Sequence, residues 1–188
     1  MTENFKSLFK ATNDCQIAEA SVVEKYSDKV PAYLIDIWQS TGSGKYRDGL
    51  IEIVNPEDFE AVLWTWLGKE VPNYVPFAIS AFGELIYYRK LSETEEDICL
   101  IDIQYRKIEV LTWDLIEFFE ELLLDEYERE EWLREQLFDD ALAKYGKLEK
   151  SEIFTLVPVL AFGGALEIDY LKKGNAQVYQ HLVFSMTS

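Results

Sequence analysis

Short segments rich in β-branched and aromatic residues lie between stretches whose apolar residues recur at helical spacing. Together they predict an α+β protein with a mostly antiparallel sheet flanked by helices. The β-patterned segments follow one another through short turns rather than crossover helices, which is why antiparallel pairing is expected. With 188 residues, 48% hydrophobic and 14% aromatic, the chain can build a full core. Residues 1–111 are expected to form an α+β domain, and residues 112–188 a C-terminal helical unit packed on it.

Residues 1–29 read as helical, with Phe5, Leu8, Phe9, Ile17, Val22, Val23 and Tyr26 giving a partly amphipathic pattern. Pro31 suits the first position of a helix over residues 32–41, where Leu34, Ile35 and Trp38 share a face and Gly42 serves as the stop. Gly42-Ser43-Gly44-Lys45 reads as a loop, Arg47-Asp48-Gly49 as a turn and residues 50–54 as a strand. Asn55-Pro56-Glu57-Asp58 is a helix start: a cap, a proline at the first position, then acids at the positive dipole end. That helix is expected to reach Leu67, with Phe59, Val62, Leu63 and Trp66 inward.

Strands are expected over residues 77–81, 85–90, 97–103 and 107–111. Residues 113–145 read as acidic helices, and Gly146-Lys147-Leu148 as a hinge. Residues 153–160 contain Pro158 and read as an edge strand or a buried extended segment. Asn175 suits the cap of a last helix that places Val178, His181, Leu182 and Met186 on one side.

The net charge of −17 opposes direct nucleic-acid binding, which depends on cations neutralising phosphates, and opposes anionic membrane surfaces. It favours fast encounter with a cationic protein. No signal-like apolar run opens the chain and no stretch is long enough to span a bilayer, so a cytoplasmic protein is expected. Cys15 and Cys99 suggest no disulfide framework and read as small buried hydrophobes.

The search for chemistry is mostly negative. His181 is the sole histidine and sits in an apolar run, so it reads as a packed residue. No Gly-x-Ser-x-Gly elbow accompanies it, and no cysteine or histidine has metal-ligand spacing. Gly42 to Lys45 lacks the spacing of a phosphate loop. No cofactor and no metal are therefore expected. Among the five tryptophans, Trp38, Trp66 and Trp132 fit core positions. Trp64 and Trp66 cannot share one helix face, so one of them is expected to be an exposed anchor.

Trp113 to Tyr145 is the most distinctive stretch. Leu115, Phe118, Phe119, Leu122, Leu123, Trp132, Leu133 and Leu137 recur at helical spacing. Carboxylates crowd the remaining positions, opposed by Arg129 and Arg134. A helical region this acidic repels itself. It is either a solvated face or a surface shaped for a basic partner.

Specific residues then carry a family resemblance. Val30 to Trp38, Gly42 to Tyr46, Asp48-Gly49, Ile53-Val54-Asn55-Pro56, Trp66-Leu67 and Ser80 to Leu85 resemble the bacterial GAD-like domain. Tyr145-Gly146-Lys147-Leu148, Glu152-Ile153-Phe154, Val157 to Leu160, Phe162-Gly163-Gly164 and Tyr179 to Leu182 resemble the C-terminal domain of type VI secretion immunity proteins. The resemblance implies a non-enzymatic immunity protein that binds a cognate secreted toxin, in characterised cases a DNase. It supplies no catalytic residues.

Three readings follow. The first is a toxin-neutralising protein whose partner-facing surface includes Glu120, Asp125, Glu128, Glu131 and Glu135 on exposed helix faces. The second is a small-ligand-binding regulatory module with an aromatic pocket built from Trp64, Tyr74, Tyr87 or Tyr88. The third is an enzyme using carboxylates alone, which needs two acids in one cleft with perturbed pKa.

Overall fold

The computed structural model describes residues 4–187, so residues 1–3 of the first expected helix lie outside the described residues. The first helix, α1 (Phe5–Leu8), is one turn closed by a reciprocal cap between Asn4 and Ser7. The chain does not continue as a helix over residues 1–29. Thr12, Asn13 and Asp14 favour turns over helix interiors. The segment instead lies extended along the first strand, bridging Ala11 to Tyr46 and Gln16 to Ser43. Helices α2 (Ala20–Tyr26) and α3 (Ala32–Ser40) follow. Gly42 ends α3 with φ +89°, its N–H reaching the Ile37 carbonyl at 2.8 Å. A Cβ there would sit 2.4 Å from the Gln16 carbonyl oxygen, so glycine is demanded by conformation and by space.

Six strands form one antiparallel sheet in sequence order: β1 (Gly44–Tyr46), β2 (Ile51–Ile53), β3 (Tyr74–Ser80), β4 (Leu85–Lys90), β5 (Glu96–Asp102) and β6 (Lys107–Thr112). Gly44 and Lys45 thus belong to a strand rather than to the expected loop, because β2 and the extended segment after α1 both pair with it. Helix α4 (Pro56–Leu67) runs as its start signal predicts, with the Asn55 side chain accepting from the Glu57 N–H at 3.2 Å.

Helices lie on both faces of the sheet, so most strands are buried on both sides. Val75, Phe77, Ile86, Tyr88, Ile98 and Leu100 point into the larger core with α1, α2, α3 and the acidic segment. Ile79, Leu85, Tyr87, Cys99 and Ile101 point into a smaller core with α4 and the last helix. The alternation breaks at Phe77 and Ala78, which share the larger core because the β3–β4 register shifts there.

Residues 113–145 are helical in pieces: α5 (Leu115–Glu120), a tight turn at Leu122–Leu124, α6 (Glu126–Glu128), a wide turn at Arg129–Leu133 and α7 (Glu135–Tyr145). Beyond them, β7 (Glu152–Leu156) pairs with β8 (Leu171–Asn175) in a separate two-stranded sheet. Of residues 153–160, expected as an edge strand or a buried extended segment, the part to Leu156 is strand, ending before Pro158. Its partner β8, Leu-Lys-Lys-Gly-Asn, has no apolar alternation that would mark it as a strand. Asn175 caps α8 (Ala176–Thr187), accepting from the Val178 N–H at 3.0 Å. Val178, Leu182 and Met186 are exposed, while Ala176, Tyr179, Gln180 and Val183 are buried.

Tyr46 ties β1 to the end of α3, donating to the Gly42 carbonyl at 2.6 Å. Burial pushes its phenol from the ordinary 10 up to about 12. A phenol held protonated in the fold contributes stability that is complete below pH 10 and lost as pH rises from about 10 to about 12. Urea denaturation should show Tyr46→Phe losing less stability than the natural protein between pH 9 and about 11. Equal losses would assign the alkaline transition to other groups.

Candidate partner-binding surface

The two arginines of the acidic stretch do not balance its surface charge; both turn inward. Arg129 is buried, pairing through Nε with Glu135 at 2.9 Å and donating from Nη1 to the carbonyls of Leu123 (3.1 Å) and Leu124 (2.7 Å). Its guanidinium thereby satisfies carbonyls orphaned at the tight turn. Arg134 stands in the left-handed region at φ +55°, between the wide turn and α7. It reaches across to the sheet, with Nη1 2.6 Å from Glu84 Oε1 and Nη2 3.4 Å from Asp102 Oδ2. Burial pulls its pKa down, but the carboxylates of Glu84 and Asp102 outweigh that and raise it. Glu84 is fully buried and also accepts from the Ser80 hydroxyl.

The five acids expected on exposed faces divide. Glu120 is turned into the fold, accepting from the Phe5 N–H at 3.1 Å and from the Tyr33 hydroxyl. Burial and then this carboxylate push the Tyr33 phenol well above its ordinary range. Glu135 also turns inward, 2.6 Å from Arg47 and 2.9 Å from Arg129. The expectation of an exposed face is corrected for both residues. Each meets a donor supplied by a distant part of the chain, which helical periodicity does not encode. Asp125 is exposed and caps α6, accepting from the Glu128 N–H at 3.0 Å. Glu128 is half-buried and Glu131 exposed. Glu121, Glu126 and Glu130 join the outward set.

Glu131 lines an open groove of about 520 Å³ between strands β5–β6 and the wide turn, together with Leu100, Asp102, Lys107, Glu109, Glu130 and Trp132. Nearby in sequence, Trp113 and Tyr127 are 67% and 72% exposed, large apolar surface within an acidic stretch. Trp113 is thus the outward tryptophan. Trp64 and Trp66 are both half-buried, with Trp66 in edge contact with Phe184 at 5.3 Å, so neither is the exposed anchor.

The four residues expected to offer an aromatic pocket divide between the two faces of the sheet. Tyr87 and Tyr88 are consecutive in β4 and point to opposite faces, a direct consequence of the two-residue strand period. Trp64, Tyr74 and Tyr87 pack on the smaller core, with the Tyr74 and Tyr87 rings 5.8 Å apart. Tyr88 lies in the larger core and donates to Glu96 at 2.8 Å. Cys99 is buried, and burial drives its thiol up to about 12; Cys15 is half-buried, and both are free. Among the described residues, no group of three or more His, Cys, Asp or Glu is arranged to hold a metal ion, and no helix is long and apolar enough to cross a membrane.

These features define a class: an α+β protein whose C-terminal region is clamped onto an antiparallel sheet by buried ion pairs and turns an acidic face outward. Within that class, the chain belongs to the GAD-like domain family, which it matches over residues 1–101. Residues 114–187 match the family described as T6SS immunity protein Tdi1, C-terminal. The chain also resembles the crystal structure of Atu4351 from Agrobacterium tumefaciens, with a TM-score of 0.74 and 18% identity over 98% of this chain and 88% of that one. At that identity the likeness shows the fold alone. No protein of curated function matches the sequence.

Proposed function

We propose that this chain is a type VI secretion immunity protein that binds a cognate secreted toxin and neutralises it by occupying the toxin's surface, with no chemistry of its own. The observation that carries this reading is the order of the two families, which follow one another along nearly the whole chain. The outward carboxylates Glu121, Asp125, Glu126, Glu130 and Glu131 support it. A toxin that cleaves DNA must present cations to hold phosphates, and a carboxylate face complements such a cleft. Asp125, Glu128 and Glu131 are the proposed contact acids. Glu120 and Glu135 would act by holding the segment in place.

Co-expression with its cognate toxin should restore growth of cells that the toxin alone kills. Titration calorimetry should show a stoichiometric complex weakened by salt, and Asp125→Lys/Glu131→Lys should cost about tenfold in affinity at low salt. Unchanged affinity would remove this segment from the interface. Absence of both protection and binding would end the immunity reading.

A further inference from the structure

The two edges of the six-stranded sheet are treated differently. At β1, the extended segment after α1 covers the edge through bridges at Ala11 and Gln16. At β6, the only ladder among the described residues is the one to β5. Lys107, Ile108, Glu109 and Val110 are consecutive and all exposed, so both side-chain rows stand open to solvent there. A bare edge of this length is a template for another strand unless it is blunted. Its sole cation, Lys107, lies 3.7 Å from Glu109.

We propose that β6 is the docking edge for an extended segment of the partner protein, one that alternates basic and apolar residues; this rests on the immunity reading. The alternation follows from the strand period. Lys107 and Glu109 face the groove, whose far wall carries Glu130 and Glu131. Ile108 and Val110, 48% and 41% exposed, stand on the opposite row. An added strand would hydrogen-bond to the open backbone, set its apolar side chains beside Ile108 and Val110, and aim its cations into the groove. Arg134 also lines the groove, where it is held by Glu84 and Asp102; Glu109, Glu130 and Glu131 are left with Lys107 as the other lining cation. A second copy is a poor occupant, since pairing two β6 strands would bring together acidic rims of chains that each carry −17.

Two measurements separate this proposal from the reading it rests on. The first uses the natural protein with an end-blocked peptide of four Lys-Val repeats, read by amide hydrogen exchange. Alternate amides of residues 107–111 should slow by about tenfold, and a Glu-Val peptide should leave them unchanged. No slowing at β6, or equal slowing by both peptides, overturns the proposal whether or not a toxin binds. The second is toxin affinity. Ile108→Lys/Val110→Lys alters exposed side chains only and should keep the far-ultraviolet spectrum, yet weaken toxin binding by about 100-fold. If the natural protein binds toxin but the variant binds within threefold of it, the edge is not the interface and the immunity reading stands. If no toxin binds, that reading fails and the peptide experiment alone decides the edge. A dimer through β6 in sedimentation velocity would also overturn the proposal.

Discussion

Arg134→Ala is expected to lower the stability of the folded protein by about 3–5 kcal/mol, among the largest effects of any single polar change in this chain. Removing the guanidinium strands Glu84, which is fully buried 2.6 Å from it, and strips Asp102 of its cation. The penalty is mainly the cost of an uncompensated buried charge rather than the lost attraction. Glu84→Gln in the Arg134→Ala background should therefore recover part of the loss, because the stranded group is then neutral. Urea denaturation of the two variants and the natural protein measures this. A loss below about 1 kcal/mol for Arg134→Ala would mean that water reaches Glu84 readily and that the clamp is weak.

Phe119→Ala should cost a similar amount, about 3–5 kcal/mol, through a cavity that its rigid neighbours cannot close. The ring is fully buried, with ring centroids 4.8 Å from Phe5, 5.0 Å from Phe118, 5.6 Å from Tyr33 and 6.0 Å from Phe77. Its neighbours come from α1, α3, α5 and the centre of the sheet, so one side chain joins the N-terminal region to the acidic segment. Phe119→Leu keeps most of the volume and should lose under about 1.5 kcal/mol. Thermal unfolding should remain a single transition at lower temperature in Phe119→Ala. Two separated transitions, with the first insensitive to the substitution, would show that the two regions do not share a core.

Much of the fold was legible because local rules wrote it. Asn55-Pro56-Glu57-Asp58 started α4 at Pro56, and Gly68, at φ +70°, stands just past its last residue. Strands β4, β5 and β6 fell within a residue of their expected bounds, since β-branched and aromatic residues there have no helical period, while β3 starts at Tyr74, three residues before its expected start. Elements whose existence depends on a distant partner were not legible. The segment after α1 is extended because β1 needs an edge partner, and β8 is a strand because β7 offers one. The candidate surface shows the same division. The density of carboxylates around residues 113–145 was plain, but which of them face water was not.

Composition and periodicity by themselves determined the α+β class, the antiparallel strand run, the acidic helical segment and the capped starts of α4 and α8. Each depends on interactions within a few residues, or on summed charge. Tertiary structure alone decided that Glu120 and Glu135 turn inward, that Arg134 crosses to Glu84, and that β6 is left open while β1 is covered. The physical reason is that a buried donor, acceptor or charge must find its partner wherever the packed chain supplies one. In this protein Tyr33, Arg47 and Glu84 lie tens of residues from the groups they meet, where no local pattern records them.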